Sequence, residues 1–226
     1  SVWLMLHNLS RFDEEWELII VCDGSTDGSL ELAEALAKSD PHLRVLSYIP
    51  NKGRGFALKT GIMAASGSTV VTTEIDSSWG DDVAHRIVAK MREHPDVDIV
   101  VASPHLPGGG YRRVPWHRVL LSRYGNLLIR LGLSQHVTMN TGMTRGYRKD
   151  RFLALNPVEP GKEFHLEVIN KALAMGYSIA EIPAVLEWKD QKFSRTRDKR
   201  RKSSSHINKL IKSHLLFAVG AAPFRF

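Results

Sequence analysis

Blocks of apolar residues alternate along the chain with amphipathic segments, and this alternation is typical of strands followed by helices. The apolar blocks, rich in β-branched residues, predict strands at residues 16–22, 43–49, 68–75 and 97–103. The amphipathic segments between them predict helices at residues 26–39, 53–66 and 81–93. Helical crossovers join parallel strands and cover both faces of a sheet. We therefore predict an α/β fold with a mostly parallel central sheet and helices on both faces.

The pattern changes after residue 103, where a loop rich in Gly and Pro begins. The segments that follow predict a basic amphipathic helix, a short polar segment, a helix and a strand, at residues 116–133, 138–148, 162–177 and 178–188. Residues 206–220 carry lysines on one side and apolar residues on the other, which fits an interfacial helix or a helix packed on the domain. We predict one domain over residues 1–191, followed by a basic segment and this amphipathic helix over residues 192–226.

The start of the chain, its apolar runs and its single cysteine indicate how the protein is processed and in which compartment it resides. The sequence begins at Ser1 with helix-like spacing, so we expect a fragment that lacks its true N-terminus. Residues 1–6 are apolar but have no basic flank, which argues against a signal peptide. No apolar run reaches the length of a membrane span. The single cysteine, Cys22, excludes an internal disulfide and fits a reducing, cytoplasmic compartment.

Positive charge is concentrated near the C-terminus. The net charge is +7, and residues 192–202 contain seven basic residues and one acid. Such a run is typical of a solvated tail. It also fits attraction to anionic lipid head groups or to nucleic-acid phosphates.

Three polar turns follow predicted strands, at the sheet edge where ligands of open α/β folds bind. The first contains Asp23, which comes directly after an apolar strand at a place where a nucleoside could be hydrogen-bonded. A tight turn that caps the next helix explains residues 24–27 equally well, but it does not explain Asp23.

The second turn contains Gly53 and Gly55 at the start of a predicted helix. Backbone amides and the helix dipole could face an anion there, with Lys52 and Arg54 beside it. The turn has neither a Walker A nor a GxGxxG pattern, so we favour a simple turn over an anion site.

The third turn contains Glu74 and Asp76, which lie two residues apart and point to the same face of an extended chain. Like charges in this arrangement repel one another. A divalent cation between these acids and a diphosphate would remove the repulsion and neutralise a leaving group. Solvated acids that cap the following helix are the alternative.

The order and spacing of "VCDGSTDGS", "NKGRGFALKTGI" and "EID" resemble the family 2 glycosyltransferases of GT-A fold. Within that family the chain most resembles the branch of dolichol-phosphate mannose synthase and polyprenyl-phosphate glycosyltransferases. The likeness continues through residues 118–130, 144–148, 163–188 and 192–195, and thus covers almost the whole chain from about residue 16.

The resemblance implies roles for individual residues. Asp23 would contact the base or ribose of a nucleotide-diphosphate sugar, with Lys52 on the same donor side. Asp76 would be the main ligand of Mg²⁺ or Mn²⁺, assisted by Glu74. The acceptor phosphate would be held by Arg118, Ser122 and Arg123, with Arg148 near the phosphates. The donor diphosphate would be gripped by Lys189, Ser194 and Arg195. The donor sugar would be faced by Glu163, His165 and Glu167.

The chain departs from the family pattern at several places. Cys22 replaces the first of paired aspartates, Glu74 replaces the first Asp of Asp-x-Asp, and Lys189 stands in for Arg, which weakens bidentate phosphate binding. Residues 77–82 replace the usual sequence after the acids. The family's first strand, which carries a nucleotide contact, is expected before Ser1.

The resemblance implies an inverting, metal-assisted transfer of a sugar from a GDP-mannose or UDP-glucose type donor to a polyprenyl or dolichyl phosphate. Asp76, Glu163 and Glu167 are the candidate catalytic residues. One alternative is transfer to a glycan hydroxyl, with Glu163 or Glu167 as the base. Another is a nucleic-acid-binding protein, but no aromatic residues interleave the basic run. We expect a peripheral protein on the cytoplasmic face of a membrane, with a lipid acceptor and no nucleic-acid partner.

Overall fold

The computed structural model describes residues 2–132 and 136–188. Its first half consists of helix α1 (Val2–Leu9), strand β1 (Leu18–Asp23), helix α2 (Ser29–Ala37), strand β2 (Leu43–Tyr48), helix α3 (Arg54–Ala64), strand β3 (Thr69–Thr72), helix α4 (Val83–Glu93) and strand β4 (Ile99–Ser103). Each element predicted up to residue 103 is present, with its ends shifted by a few residues.

The second half contains more elements than the sequence predicts. They are strand β5 (Gly110–Arg112), helix α5 (Trp116–Gly132), strand β6 (Arg145–Arg148), helix α6 (Lys149–Leu155), helix α7 (Phe164–Ala174), strand β7 (Ile179–Pro183) and strand β8 (Val185–Glu187). The strand predicted over 178–188 is two strands with different partners, since β7 pairs with β4 and β8 pairs with β5. Strand β6 lies in the segment predicted only as polar, and β5 and α6 are also additional.

Strands β3, β6, β4 and β7 form a four-stranded sheet in that order. Strand β7 is parallel to β4, whereas β6 runs antiparallel to both β3 and β4. The β1–β2 and β5–β8 pairs are parallel. Parallel pairing therefore predominates, as predicted, and β6 is the exception.

The core surrounds β4, in which all five residues are buried. A strand buried on both faces reads as a continuous apolar run, which is why the pattern predicted it. Ile87 and Met91 of α4 pack against β6 at Gly146, where an added Cβ would lie 2.3 Å from the Ile87 Cγ2 atom. Only glycine allows this helix to approach the sheet so closely.

An apolar cavity of about 1160 Å³ lies between β1 and β3 and is also lined by residues of α1, α3 and α4. Among the described residues, β1 pairs with β2 and β3 pairs with β6, so one edge of each strand borders this cavity.

Within the described ranges, no helix combines the length and apolar character needed to cross a bilayer.

Candidate functional site

The turns after β1 and β2 form one hydrogen-bonded unit around Asp23. The Asp23 carboxylate accepts hydrogen bonds from the backbone amides of Lys52, at 2.7 Å, and Gly53, at 3.0 Å. The Asn51 side-chain amide donates to the Asp23 carbonyl oxygen at 2.6 Å. Gly24 has a φ of +66°, and a Cβ there would come within 2.3 Å of the Asn51 nitrogen. Asp23 therefore positions the second turn, in addition to any contact with a nucleoside.

The N-terminus of α3 is closed by its own chain. The backbone amides of Gly55 and Phe56 donate to the Pro160 carbonyl oxygen at 2.8 and 3.2 Å. A Cβ on Gly55 would lie 2.4 Å from the Glu159 carbonyl oxygen, so the close approach of this loop requires glycine. Because these amides are already used within the chain, the structure favours the simple turn over an anion site at the start of this helix.

Lys52 lies at the rim of the same unit, with its ammonium nitrogen 4.5 Å from the centre of the Phe56 ring and 5.4 Å from that of Tyr48. The aromatic faces attract and orient this charge. Burial, and then the neighbouring Asp23 carboxylate, raise the pKa of Tyr48. The cation is thus held beside the turn of Asp23, and its contact with a donor nucleotide stays a prediction.

Glu74 and Asp76 have different surroundings. The Ser78 hydroxyl and the indole nitrogen of the buried Trp79 donate to Glu74 Oε2, at 2.9 and 3.1 Å. Asp76 is exposed, and its Oδ1 accepts a hydrogen bond from the Ser78 amide at 3.0 Å. Glu74 therefore anchors the turn, while Asp76 presents its carboxylate to solvent.

The donor set at this turn suits a cation that arrives with a substrate. Among the described residues, no group of three or more His, Cys, Asp or Glu side chains could hold a metal ion by itself. Mg²⁺ is usually bound by one or two carboxylates together with substrate phosphates, and it keeps several waters. The exposed Asp76 carboxylate fits this mode, and Glu74 has one oxygen committed to the turn.

The acidic turn is tied to helix α5 through β8. The Glu187 amide donates to the Ser78 carbonyl oxygen at 2.7 Å. The next amide, that of Trp188, donates to the Arg112 carbonyl oxygen at 3.1 Å. The Arg118 guanidinium at the start of α5 lies 5.0 Å from the centre of the Trp188 ring. The predicted metal-binding turn and the first predicted acceptor residue are therefore brought to the same region.

A polar pocket of about 240 Å³ lies alongside α5 and is lined by His105, Arg123, Asn126, Leu127, Arg130 and Thr138. The Ser122 hydroxyl is 2.9 Å from the Tyr111 hydroxyl, which is 3.2 Å from His105 Nε2. Burial, and then the Arg123 charge, lower the pKa of His105. The guanidinium groups of Arg123 and Arg130 are suitable donors to a phosphate. The Asn126 side-chain amide and the Thr138 hydroxyl already donate to the Ser122 carbonyl oxygen and to Glu181.

The far wall of this pocket is fixed by buried hydrogen bonds. Glu181 accepts from the Thr138 amide at 2.8 Å and from the Met139 amide at 3.0 Å. The Asn126 side-chain oxygen accepts from the Asn140 amide at 2.7 Å. The guanidinium of the fully buried Arg145 donates to the carbonyl oxygens of Asn140 and His165, at 2.6 and 2.8 Å. Sequence reasoning missed His105 and Thr138 because a single histidine or threonine in an irregular segment has no distinguishing pattern.

The structure contradicts the expected position of Arg148 near the phosphates. In the antiparallel β3–β6 register, Arg148 lies opposite Thr69, whereas Arg145 lies opposite Thr72, at the end of β3 that leads to Asp76. The Arg148 guanidinium donates to the carbonyl oxygens of Val97 and Met91 at the other end of the sheet. Arg148 is therefore a structural residue.

Glu167 is also structural, which corrects its assignment as a catalytic base. It is fully buried in α7, and its carboxylate accepts hydrogen bonds from the amides of Val158 and Glu159, at 2.9 and 2.7 Å. Lys171, one turn later, forms an ion pair with it at 2.7 Å. Glu163 is buried at the start of the same helix, and its catalytic role stays a prediction.

His165, expected to face the donor sugar, is buried, and burial lowers its pKa well below the ordinary value. The expected donor-binding residues Lys189, Ser194 and Arg195 lie outside the described residues. So does the basic and amphipathic segment 192–226.

Comparison with known proteins identifies relatives. The family model described as "Glycosyl transferase family 2" matches residues 3–154. The chain is 29% identical over 178 residues to the polyprenol monophosphomannose synthase of Mycolicibacterium smegmatis, covering 74% of this chain and 64% of that protein. It is 28% identical over 189 residues to the undecaprenyl-phosphate mannosyltransferase of Micrococcus luteus, covering 81% of this chain and 76% of that protein.

Solved structures confirm the predicted GT-A fold. The glucosyl-3-phosphoglycerate synthase of Mycobacterium tuberculosis superposes with a TM-score of 0.66 at 20% identity, covering 96% of this chain and 75% of that one. Its complex with Mn²⁺, UDP and glucosyl-3-phosphoglycerate superposes with a TM-score of 0.61 at 19% identity, covering 93% and 70%. At these identities the likeness concerns the fold alone.

Proposed function

The chain belongs to glycosyl transferase family 2, and on that premise we propose that it moves a sugar from a nucleotide-diphosphate sugar to a polyprenyl or dolichyl phosphate. The observation that carries the proposal is that β8 connects the turn of Asp76 to Arg118 at the start of α5, so that an exposed carboxylate and a cation lie in the same region. The names of two relatives, a polyprenol monophosphomannose synthase and an undecaprenyl-phosphate mannosyltransferase, support a lipid phosphate as the acceptor.

The charges around the pocket beside α5 favour a phosphate acceptor over a sugar hydroxyl. A hydroxyl acceptor needs a carboxylate that can take its proton. Glu167, one of the two candidates for that base, is committed to two backbone amides and Lys171. An ionised phosphate needs cations instead, and Arg123 and Arg130 line the pocket. This difference in partner chemistry is why we favour the lipid phosphate.

In the proposed reaction an oxygen of the acceptor phosphate forms a bond to the anomeric carbon of the donor sugar. The bond from that carbon to the nucleoside diphosphate breaks, and its electron pair leaves with the diphosphate. The displacement is single and inverts the anomeric carbon. Asp76, with Glu74 holding its turn, would bind Mg²⁺ or Mn²⁺, which neutralises the leaving diphosphate.

The remaining residues would act by positioning and electrostatics, because no strong base is needed. Arg118, Arg123 and Ser122 would orient the acceptor phosphate. Asp23 would contact the donor nucleoside and would also hold the turn of Lys52 in place. We place the reaction at the cytoplasmic face of a membrane, with the protein bound peripherally, because a polyprenyl acceptor resides in a bilayer.

An acceptor competition assay tests this function. The protein is incubated with GDP-mannose or UDP-glucose and Mn²⁺, with a short polyprenyl phosphate and a soluble oligosaccharide present together. We expect labelled sugar in the lipid phosphate fraction only. Sugar transferred to the oligosaccharide instead would support the glycan-hydroxyl alternative, and no transfer from any nucleotide sugar would refute the proposal.

A further inference from the structure

Helix α5 exposes its apolar side to solvent. Trp116 is 74% exposed, Leu121 59% and Tyr124 63%, and Leu120 and Leu127 are also exposed. At roughly 100° per residue, these five side chains fall within an arc of about 140° on one side of the helix. A surface helix of a globular protein normally turns such a stripe towards the core.

The opposite side of α5 is the one that packs on the protein. Asn126 and Ile129 are buried there. The Asn126 side-chain oxygen accepts a hydrogen bond from the Asn140 amide at 2.7 Å, and the Ser122 hydroxyl lies 2.9 Å from the Tyr111 hydroxyl of β5. The rotation of the helix about its axis is therefore fixed by buried hydrogen bonds, and the exposed apolar stripe is a consequence of that rotation.

Cationic residues flank the apolar stripe on both sides. Arg123 and Arg130 lie on one border, between the stripe and the buried side, and Arg118 lies on the other, as the helical spacing requires. Within the described residues, none of these three arginines forms an ion pair with a carboxylate. The helix thus has an apolar centre and cationic edges.

Exposed apolar residues elsewhere do not form such a surface. Among the described residues outside α5, no helix or strand carries more than two exposed large apolar residues, as α1 does with Trp3 and Leu4, and most stand alone, such as Leu32 on α2. Scattered apolar residues are ordinary on protein surfaces, whereas a contiguous patch marks an interaction site.

We propose that the exposed side of α5 docks on an anionic lipid bilayer, with the helix lying in the plane of the interface. Trp and Tyr are enriched at the level of lipid head groups, and helices with an apolar face and Lys or Arg on the polar side bind anionic membranes in this orientation. The arginine borders complement the negative head groups. The same charge would not favour a second copy of this chain, whose net charge is also +7.

This inference deepens the proposed function and rests on it for its purpose. Arg123 and Arg130 belong both to the border of the apolar stripe and to the polar pocket. A helix lying in the interface therefore holds the pocket at the level of the head groups. A phosphate attached to a prenyl chain reaches the pocket there without leaving the bilayer.

Vesicle flotation of the full chain tests the docking surface. The probes are vesicles of phosphatidylcholine alone and of phosphatidylcholine mixed with phosphatidylglycerol. The test variant is the double substitution Trp116→Glu and Leu121→Glu. The matched control is Leu32→Glu and Val158→Glu, which places the same charges on exposed apolar positions away from α5. Thermal unfolding shows that both variants are folded.

We expect the unaltered chain to float with the anionic vesicles and the α5 variant to bind them at least about tenfold more weakly, because two large apolar side chains lose their burial. The control should bind like the unaltered chain. Equal binding by the α5 variant, or an unaltered chain that does not float, would overturn the docking surface. A sedimentation experiment in which the unaltered chain is a dimer and the α5 variant a monomer would assign the stripe to a second copy instead.

Sugar transfer is measured separately, in detergent, with a short prenyl phosphate. If flotation behaves as expected but no transfer occurs with any nucleotide sugar, the proposed function fails while the docking surface stands. If the unaltered chain and the α5 variant transfer sugar equally in detergent and also float equally, the docking surface is refuted and the proposed function stands.

Discussion

The turns around Asp23 and the surface of α5 differ in how much of their bonding capacity is used within the chain. Around Asp23, the carboxylate and the backbone amides of the next helix already have partners in the protein. Along α5, apolar side chains and arginines are directed to solvent. The first region is a preformed framework whose hydrogen-bonding groups are paired within the chain. The second is a surface whose partners lie outside the chain.

The donor side and the acceptor side of the proposed reaction would therefore be organised in different ways. The donor side would depend on the hydrogen-bonded framework around Asp23, so substitutions within that framework should affect stability as well as activity, whereas the exposed Asp76 should affect activity alone. The acceptor side would depend on exposed groups, so substitutions there should affect acceptor binding and leave stability nearly unchanged.

Asp76→Asn removes the charge that we assign to the cation without disturbing a buried contact. We expect sugar transfer to fall by about a hundredfold or more, because the leaving diphosphate loses its neutralising partner. Stability should change by less than about 0.5 kcal/mol, as is usual for an exposed position. Initial rates with Mn²⁺ and denaturant unfolding measure the two quantities.

Asp81→Asn is the matched control, because Asp81 is an exposed carboxylate five residues along the same stretch. Its rate should equal that of the unaltered chain. A loss of activity as large as that of Asp76→Asn would show that the general negative charge of this stretch matters, and not the particular position of Asp76.

Gly55→Ala should destabilise the donor side by about 1–3 kcal/mol, since the added Cβ would overlap the Glu159 carbonyl oxygen and force a shift of the backbone. The corresponding change on the acceptor side is Gly125→Ala in α5, where an added Cβ meets no atom of the described residues within 4 Å. That change should stabilise the protein by about 0.5–1 kcal/mol, because alanine suits a helix interior better than glycine. Urea unfolding of both variants distinguishes the two regions. Equal effects would contradict the contrast.

Glu167→Gln distinguishes a structural carboxylate from a catalytic base. We expect a loss of about 1–3 kcal/mol in the free energy of unfolding, because charge-assisted hydrogen bonds from two amides and an ion pair are weakened. The rate per folded molecule should change little. If the variant stays fully stable but no longer transfers sugar, Glu167 acts in the reaction and its role is not structural.

Arg123→Gln tests the pocket beside α5. We expect the KM for the lipid phosphate to rise by about tenfold, the size of one lost charge-assisted contact, with the KM for the nucleotide sugar unchanged. Arg92→Gln, an exposed arginine on α4, is the control. An equal rise in both KM values would mean that Arg123 does not belong specifically to the acceptor side.

The smallest effect concerns His105. Burial and the Arg123 charge lower the pKa of His105, so the folded protein binds fewer protons than the unfolded chain near the ordinary histidine pKa. His105 therefore contributes to stability at pH values above its ordinary pKa. This contribution is lost as the pH falls through the lowered pKa of the folded protein. Arg123→Gln should raise the pKa of His105 towards its ordinary value. An NMR titration of the imidazole signals measures the change, and an unaltered pKa would show that Arg123 is not its neighbour.

Much of the fold follows from local patterns. The strand at residues 97–103 contains a continuous apolar run, so its burial is visible in the sequence. Strand β6 cannot be recognised in this way. It contains a buried arginine, Arg145, and a glycine, Gly146, that is required because α4 approaches the sheet closely. Such a strand is recognisable only when its neighbours are known.

The candidate site shows the same division. The type and spacing of Glu74 and Asp76 predict a cation site, and the binding of a cation there stays a prediction. The position of Arg148 could not be predicted, since it depends on the antiparallel register of β6. The role of Glu167 depends on a loop that folds back onto α7. Local sequence thus indicates which groups are available, and tertiary register decides which of them reach the site.

The most direct test of the account is the anomeric configuration of the lipid product. The protein is supplied with a nucleotide sugar of known configuration, labelled with ¹³C at the anomeric carbon, together with a short polyprenyl phosphate, and the product is examined by NMR. We predict a sugar linked to the lipid phosphate with inverted configuration, as a single displacement by a phosphate held beside α5 requires. A product with the donor's own configuration, or sugar found on a hydroxyl acceptor, would contradict the account.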